Sequence, residues 1–351
     1  MAPLYRVLPA GRYHAGPGDD VKIRDAQRIV RELRTAVIGV GHFGQHHAGK
    51  YARLEGSRLV AVVDSDPARA QMIAGQHGVE ALSDHRPLLG SVDAVSIATP
   101  PTSHFEVARD FIEHGAHVLV EKPITETLAD AARLVDLARD RGRILQVGHI
   151  ERFSAVGAPL AKLVDRPLFI QATRIGLFAP RGEAVSAVLD LMIHDLDLIM
   201  SLVKSPIEWV HAIGAPVITT ADDMVSCRIQ FQSGCVADLT ASRVSLRNER
   251  KMRIFQKDSC TSVDFIKRRI GVFRHDPSVP PGKPAVSLEE SVYPPVDALE
   301  AEISSFLAAA RRGEPPLVTG EDGRRALEAA LLVDRELRRH WQRIAPPVEP
   351  A

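Results

Sequence analysis

The chain has 351 residues, enough for about two domains at roughly 150 residues each. Lys plus Arg and Asp plus Glu both number 44, so the net charge is zero; neither a basic nucleic-acid-binding chain nor an acidic solvating tail fits that balance. An aromatic share of 5% offers no stacking platform for single strands, and three cysteines (Cys227, Cys235, Cys260) with no Cys-x-x-Cys pair fit a reducing compartment and give no metal framework.

Residues 1–34 open the chain as an extension, Gly- and Pro-rich to Asp20, with Val21–Arg34 able to form a short surface helix. It holds no apolar run of signal-peptide length, and no uncharged stretch of the chain reaches the ~18 residues of a membrane helix. A cytoplasmic protein without a membrane partner is expected. From Thr35 short apolar runs alternate with helical stretches. Ala36–Ile38, Leu59–Val63, Ala94–Ala98, His117–Val120 and Ile144–Val147 read as buried parallel strands. Helices are expected through Tyr51, over Ala68–Gln76 behind Pro67, near Thr102–His114 and over Leu128–Arg141. This is the pattern of a doubly wound Rossmann domain, 35–152. The texture then changes. Leu189–Val203 is an apolar helix, and Ile207–Phe273 is mostly strands, with a hairpin at Gln232-Ser233-Gly234. Ala298–Arg311 and Asp322–Arg339 are helical. The expectation for 153–345 is an α+β domain with a large, mostly antiparallel open sheet.

Gly39-Val40-Gly41-His42-Phe43-Gly44 follows the first strand and opens a helix. In that context Gly-x-Gly-x-x-Gly marks a dinucleotide site: the first glycine makes the turn, the second admits a pyrophosphate, the third packs helix on strand. Asp64 ends the second strand, about 20 residues past Gly44, where a carboxylate accepts from ribose hydroxyls and repels a 2′-phosphate. NAD is therefore expected over NADP; Arg69 is nearby, and a flavin uses the same turn.

Glu121-Lys122-Pro123 stands at the carboxyl end of a strand, the edge at which open α/β sheets bind ligands. Asp190 and His194, at helical i, i+4 spacing in an apolar setting, share a face. Read singly, Lys122 also fits a surface turn, and the Asp–His pair a structural buttress. Taken together, the glycine loop, Ala98-Thr99-Pro100 with His104, Glu121-Lys122-Pro123, and Asp190 with His194 resemble the Gfo/Idh/MocA oxidoreductase family over roughly Thr35 to His340. The resemblance implies Lys122, Asp190 and His194 as catalytic residues and a cis Lys122–Pro123 bond. It also implies cofactor contacts at Gly39, Gly41, His42, Phe43, Gly44, Asp64, Thr99, Pro100, His104, Glu121 and Lys122, with no metal. His194 suits proton abstraction from a secondary alcohol, since an unperturbed imidazole titrates near 6.5. Lys122 would stabilise the alkoxide and lower the imidazole pKa, and Asp190 would orient the imidazole or the sugar hydroxyl.

Val147-Gly148-His149-Ile150-Glu151-Arg152-Phe153 resembles the nucleotide-sugar branch of the family, with Ser154-Ala155 where that branch has Asn-Pro. That branch implies oxidation of the 3-hydroxyl of UDP-N-acetylglucosamine for lipid A. His149, Arg152, Arg174 and Arg181 are then the candidate substrate ligands, the arginines because guanidinium pairs recognise a diphosphate. A homodimer or homotetramer is expected. An inositol or simple-sugar dehydrogenase and a non-catalytic NAD-sensing regulator stay open as alternatives.

Overall fold

The computed structural model describes residues 32–178, 186–276, 278 and 285–344. Six runs form the first sheet: β1 (Leu33–Ile38), β2 (Ser57–Val63), β3 (Glu80–Leu82), β4 (Ala94–Ile97), β5 (His117–Glu121) and β6 (Leu145–Gly148). All neighbours are parallel, in the order β3-β2-β1-β4-β5-β6. β4 and β6 are buried at every residue, as expected of strands covered on both faces. The order reverses beside β1, so a crevice opens beyond the carboxyl ends of β1 and β4.

Helices α1 (Gly44–Tyr51), α2 (Pro67–His77), α3 (His104–Glu113) and α4 (Leu128–Asp140) connect these strands. α2 starts at Pro67 because Asp66 Oδ1 accepts from the Ala68 and Arg69 amides, and it stops where Gly78 turns to φ 66°. Two expectations shift. Leu33 and Arg34, read as the tail of a surface helix, already belong to β1. β3 has three residues at the sheet edge, too short to carry a pattern.

The second sheet has eight strands: β7 (Pro167–Ile175), β8 (Ile207–Ala215), β9 (Met224–Phe231), β10 (Val236–Ser242), β11 (Glu249–Gln256), β12 (Ser259–Asp264), β13 (Arg269–His275) and β14 (Val286–Val292). Its order is β14-β13-β12-β11-β7-β10-β9-β8, antiparallel throughout except for the parallel pair β7–β10. The hairpin expected at 232–234 is present: the Gly234 amide donates to Phe231 O at 2.8 Å, with Gly234 at φ 85°. The inner face buries Ile170, Ile229, Leu239, Met252 and Ile254 beneath α6 (Ile193–Val203). The other face stays open to water, as antiparallel sheets allow, and shows Leu168, Phe273 and Leu288. α5 (Gly157–Leu163) links the first sheet to β7.

The last two helices return to the first sheet. On α7 (Ala298–Arg312), Ile303, Phe306 and Leu307 are buried with Leu33, Val37, Tyr51 and Leu59. α8 (Gly320–Ile344) bridges both cores, with Leu327 in the first and Ala330, Val333 and Leu337 in the second. The Rossmann sheet is therefore completed by residues far beyond 152. Phe306→Ala tests this: chemical unfolding should show a loss of about 3–5 kcal/mol. A loss under about 1 kcal/mol would mean that α7 is not part of that core.

Candidate active site

The three glycines of the loop do three different jobs. At Gly39, with φ 83°, an added Cβ would sit 2.8 Å from Ala98 O; at Gly44 it would lie 1.8 Å from Gly39 O. At Gly41 it would meet nothing within 4 Å, because that residue faces open space. Gly41 lines a cleft of about 870 Å³ with Gly39, Asp64, Arg69, Thr99 and Pro100. The open backbone at Gly41, beside the amino end of α1, is a cradle of the kind a pyrophosphate fills. Asp64 is buried; its Oδ2 accepts from the Val40 amide at 3.0 Å and its Oδ1 from the Asp66 amide at 2.9 Å. Arg69 Nη1 lies 3.3 Å from Asp64 Oδ1, so this arginine is already paired with the acid of the ribose position.

Beneath the cleft runs a buried polar chain. Tyr51 Oη is 2.9 Å from Ser96 Oγ, which is 3.1 Å from His47 Nδ1, and His47 Nε2 is 3.0 Å from Glu121 Oε1. Glu121 is thus tied to α1 and β4. It also accepts from the Lys122 amide at 3.3 Å and crowds Gly148, where a Cβ would come within 3.0 Å of it. This anchors the start of the segment that carries Lys122. The Lys122–Pro123 bond is cis, as the resemblance implies. His104 is buried, and its ring nitrogens lie 2.8 Å from Pro123 O and 2.8 Å from Thr99 O. Expected as a cofactor contact, it ties the two loops together in this structure.

The partner of Lys122 comes from the second half of the chain. Residues Val188–Met192 form one wide π-helical turn that runs into α6. Such turns do not satisfy carbonyls in the ordinary helical way. Here the Asp190 and Leu189 carbonyls accept from Lys122 Nζ at 2.9 and 3.4 Å, and Asp190 Oδ1 lies 3.9 Å from the same atom. Asp190 therefore faces Lys122. It does not orient the imidazole: His194 Nδ1 is sealed from solvent without a hydrogen-bond partner. His149 is buried with both ring nitrogens unpartnered.

The arginines differ from expectation. Arg174 is 3% exposed; its Nε and Nη2 donate to Asp195 at 2.9 Å each, and its Nη1 donates to Glu151 at 2.7 Å. Arg152 forms the same fork with Asp197, two bonds of 2.7 Å, with Asp322 at 3.6 Å. In this structure both guanidiniums are paired with carboxylates, Arg174 through three of its N–H donors and Arg152 through two. Arg181 lies outside the described residues. The pairs clamp the 3-10 turn Ile150–Phe153 and the strand β7 to α6, just after His194.

Two family models match the chain: the oxidoreductase family with an NAD-binding Rossmann fold over residues 33–149, and the Gfo/Idh/MocA C-terminal domain over 177–258. UDP-N-acetylglucosamine 3-dehydrogenase of Acidithiobacillus ferrooxidans is 39% identical over 302 residues, covering 86% of this chain and 96% of that protein. A solved structure of that enzyme matches with a TM-score of 0.84 at 38% identity, covering 89% of this chain and 99% of that one. The NAD(+)-linked scyllo-inositol 2-dehydrogenase of Bacillus subtilis is 30% identical over 61% of this chain and 68% of its own. The chain belongs to the Gfo/Idh/MocA oxidoreductase family.

As a Gfo/Idh/MocA enzyme it takes NAD as cofactor, and the open Gly41 cradle fits that group. Burial pushes the His194 imidazole well below its ordinary pKa, helped by the charges of Lys122 and Arg174, so the ring is neutral at pH 7. Burial also lowers the Lys122 ammonium, opposed by Asp190 and Glu121. Several participants gave no sequence signal of their own. His47, Tyr51 and Ser96 act through contacts distant in the chain, and Asp195 and Asp197 read as ordinary polar positions on an apolar helix. Glu302 of α7 is fully buried with both carboxylate oxygens unpartnered, and burial beside Glu121 and Asp197 raises it well above the usual range.

Asp197→Ala would leave Arg152 as a buried charge facing only Asp322. Unfolding should show a loss of about 3–5 kcal/mol, and Arg152→Met with Asp197→Leu should recover most of it. Equal losses in the single and double variants would show that the pair is not the source of the effect.

Proposed function

We propose that this protein is a cytoplasmic NAD-dependent dehydrogenase that oxidises a secondary hydroxyl, at C3, of UDP-N-acetylglucosamine or a close nucleotide sugar, for lipid A or surface-polysaccharide synthesis. The observation that carries this reading is the meeting of Lys122, from the end of β5, with the turn that holds Asp190 and leads to His194. A cation, a carboxylate and a neutral imidazole stand together where the two sheets join. The extent of the Acidithiobacillus match favours the nucleotide sugar over other family substrates.

Gly39, Gly41, Asp64, Thr99 and Pro100 hold the cofactor, which supplies the hydride acceptor. Lys122 Nζ donates to the substrate hydroxyl and keeps donating as negative charge grows on that oxygen. His194 receives the hydroxyl proton on Nε2, its Nδ1 being shut away from solvent. Asp190 opposes the lowering that burial imposes on the Lys122 ammonium. His149, unpartnered beside this group, is a ligand for the sugar. Copies of the chain associate through the open face of the eight-stranded sheet as a homodimer or homotetramer.

One observation favours a second reading, an inositol or simple-sugar dehydrogenase: Arg152 and Arg174 are paired with carboxylates in this structure. The test is NADH formation with UDP-N-acetylglucosamine and, separately, with inositols and free hexoses. Turnover of the UDP-sugar alone is expected; turnover of the free polyols alone would replace the reading. Lys122→Ala should lower kcat at least a hundredfold while NAD binding is kept. With His194 depressed, kcat/KM should hold from pH 8 to 6.5, the acid limb falling below the ordinary imidazole range.

A further inference from the structure

With Arg152 and Arg174 locked in carboxylate forks, an anionic substrate needs another cation at the join. β11 supplies one. In the pairing of β7 with β11, Arg250 stands directly opposite Arg174. Residues directly opposed in an antiparallel pair project from the same face. Alternation along β11 agrees: Met252 and Ile254, two and four residues on, are fully buried on the inner face of the sheet. Arg250 therefore shares the face that carries Arg174 and looks toward α6.

A charged side chain on an inner face is ordinarily buried and paired, as Arg174 is. Arg250 is neither. Its side chain is 53% exposed, because β11 begins at Glu249 and the sheet opens there. Among the described residues its one ion pair is 3.4 Å long, from Nη1 to Glu151 Oε1, an oxygen that already accepts from Arg174 at 2.7 Å. A guanidinium has five N–H donors, so most of its donor capacity faces outward. Its charge also bears on His194, among those that keep the imidazole neutral, which places it in the surroundings of the reacting group.

We propose that Arg250 is the specificity-determining residue that binds the phosphates of a nucleoside-diphosphate sugar at the mouth of the site. The assignment rests on the nucleotide-sugar reading above. It also gives an anion a half-exposed guanidinium at a place where Arg152 and Arg174 are buried against carboxylates.

The experiment is calorimetric titration of UDP into the NADH-saturated wild type, Arg250→Ala, Arg250→Lys and Lys251→Ala. Lys251 points to the opposite face of the same strand and serves as the control. Arg250→Ala should weaken UDP binding at least tenfold and Arg250→Lys by less, with Lys251→Ala unchanged. NADH affinity should stay at the wild-type value in all four, which separates the substrate's phosphates from the cofactor's. Thermal melts check that the half-exposed Arg250 is dispensable for folding. If the wild type binds UDP and Arg250→Ala binds it equally well, the assignment is wrong while the nucleotide-sugar reading stands. If the wild type does not bind UDP at millimolar concentration, both are wrong. Weakened NADH binding in Arg250→Ala would move the residue to the cofactor and overturn the assignment as well.

Discussion

Two buried arginine–carboxylate forks hold the site together. Taking a guanidinium and its carboxylates out of water costs several kcal/mol per ion, and the arrangement survives only where nearly every donor is met. Arg174 meets Asp195 and Glu151, and Arg152 meets Asp197. Each pair joins the turn after β6, or the strand β7, to α6. Because Asp195 and Asp197 flank Leu196 directly after His194, satisfying the forks fixes where α6 sits along its axis. The position of the imidazole follows from that, as does the position of the wide turn whose carbonyls receive Lys122. Ion pairs of this kind contribute little net stability against a well-packed apolar equivalent, but they specify one arrangement where apolar contacts would permit several.

A second set of contacts does the same for the other half of the site. The chain from Tyr51 through Ser96 and His47 to Glu121 fixes the end of β5, and His104 ties the Thr99 loop to Pro123. Lys122 is thus fixed from below by the Rossmann half and received from above by α6. The zero net charge of the chain acquires a local meaning here. Opposite charges are matched inside the join, and Arg250 is the half-exposed arginine at its edge.

Much of the fold was legible because its signals are local. Parallel strands buried on both faces read as continuous apolar runs, and Gly39, Gly41 and Gly44 obey backbone sterics that any reader of the turn can apply. Pro67 and Gly78 mark both ends of α2 for the same reason. β7 was not legible: it begins at Pro167, carries polar residues at Gln171, Thr173 and Arg174, and becomes a central strand only because β10 and β11 flank it. β3 and the wide turn at Val188–Met192 depend likewise on their neighbours. In the site, Lys122, Asp190 and His194 were singled out through the family resemblance, and the structure brings Lys122 to the turn that holds Asp190 and leads to His194. Arg152 and Arg174 were expected at substrate phosphates and here meet carboxylates: a guanidinium suits both, and sequence does not show which one lies opposite.

The account makes the forks permanent and the substrate contacts separate from them. A crystal structure of the ternary complex with NADH and UDP-N-acetylglucosamine tests this most directly. The account predicts the sugar 3-hydroxyl within hydrogen-bond distance of Lys122 Nζ and His194, with Arg152 still on Asp197 and Arg174 still on Asp195 and Glu151. A structure in which Arg152 or Arg174 has left its carboxylates to hold the substrate diphosphate would contradict it.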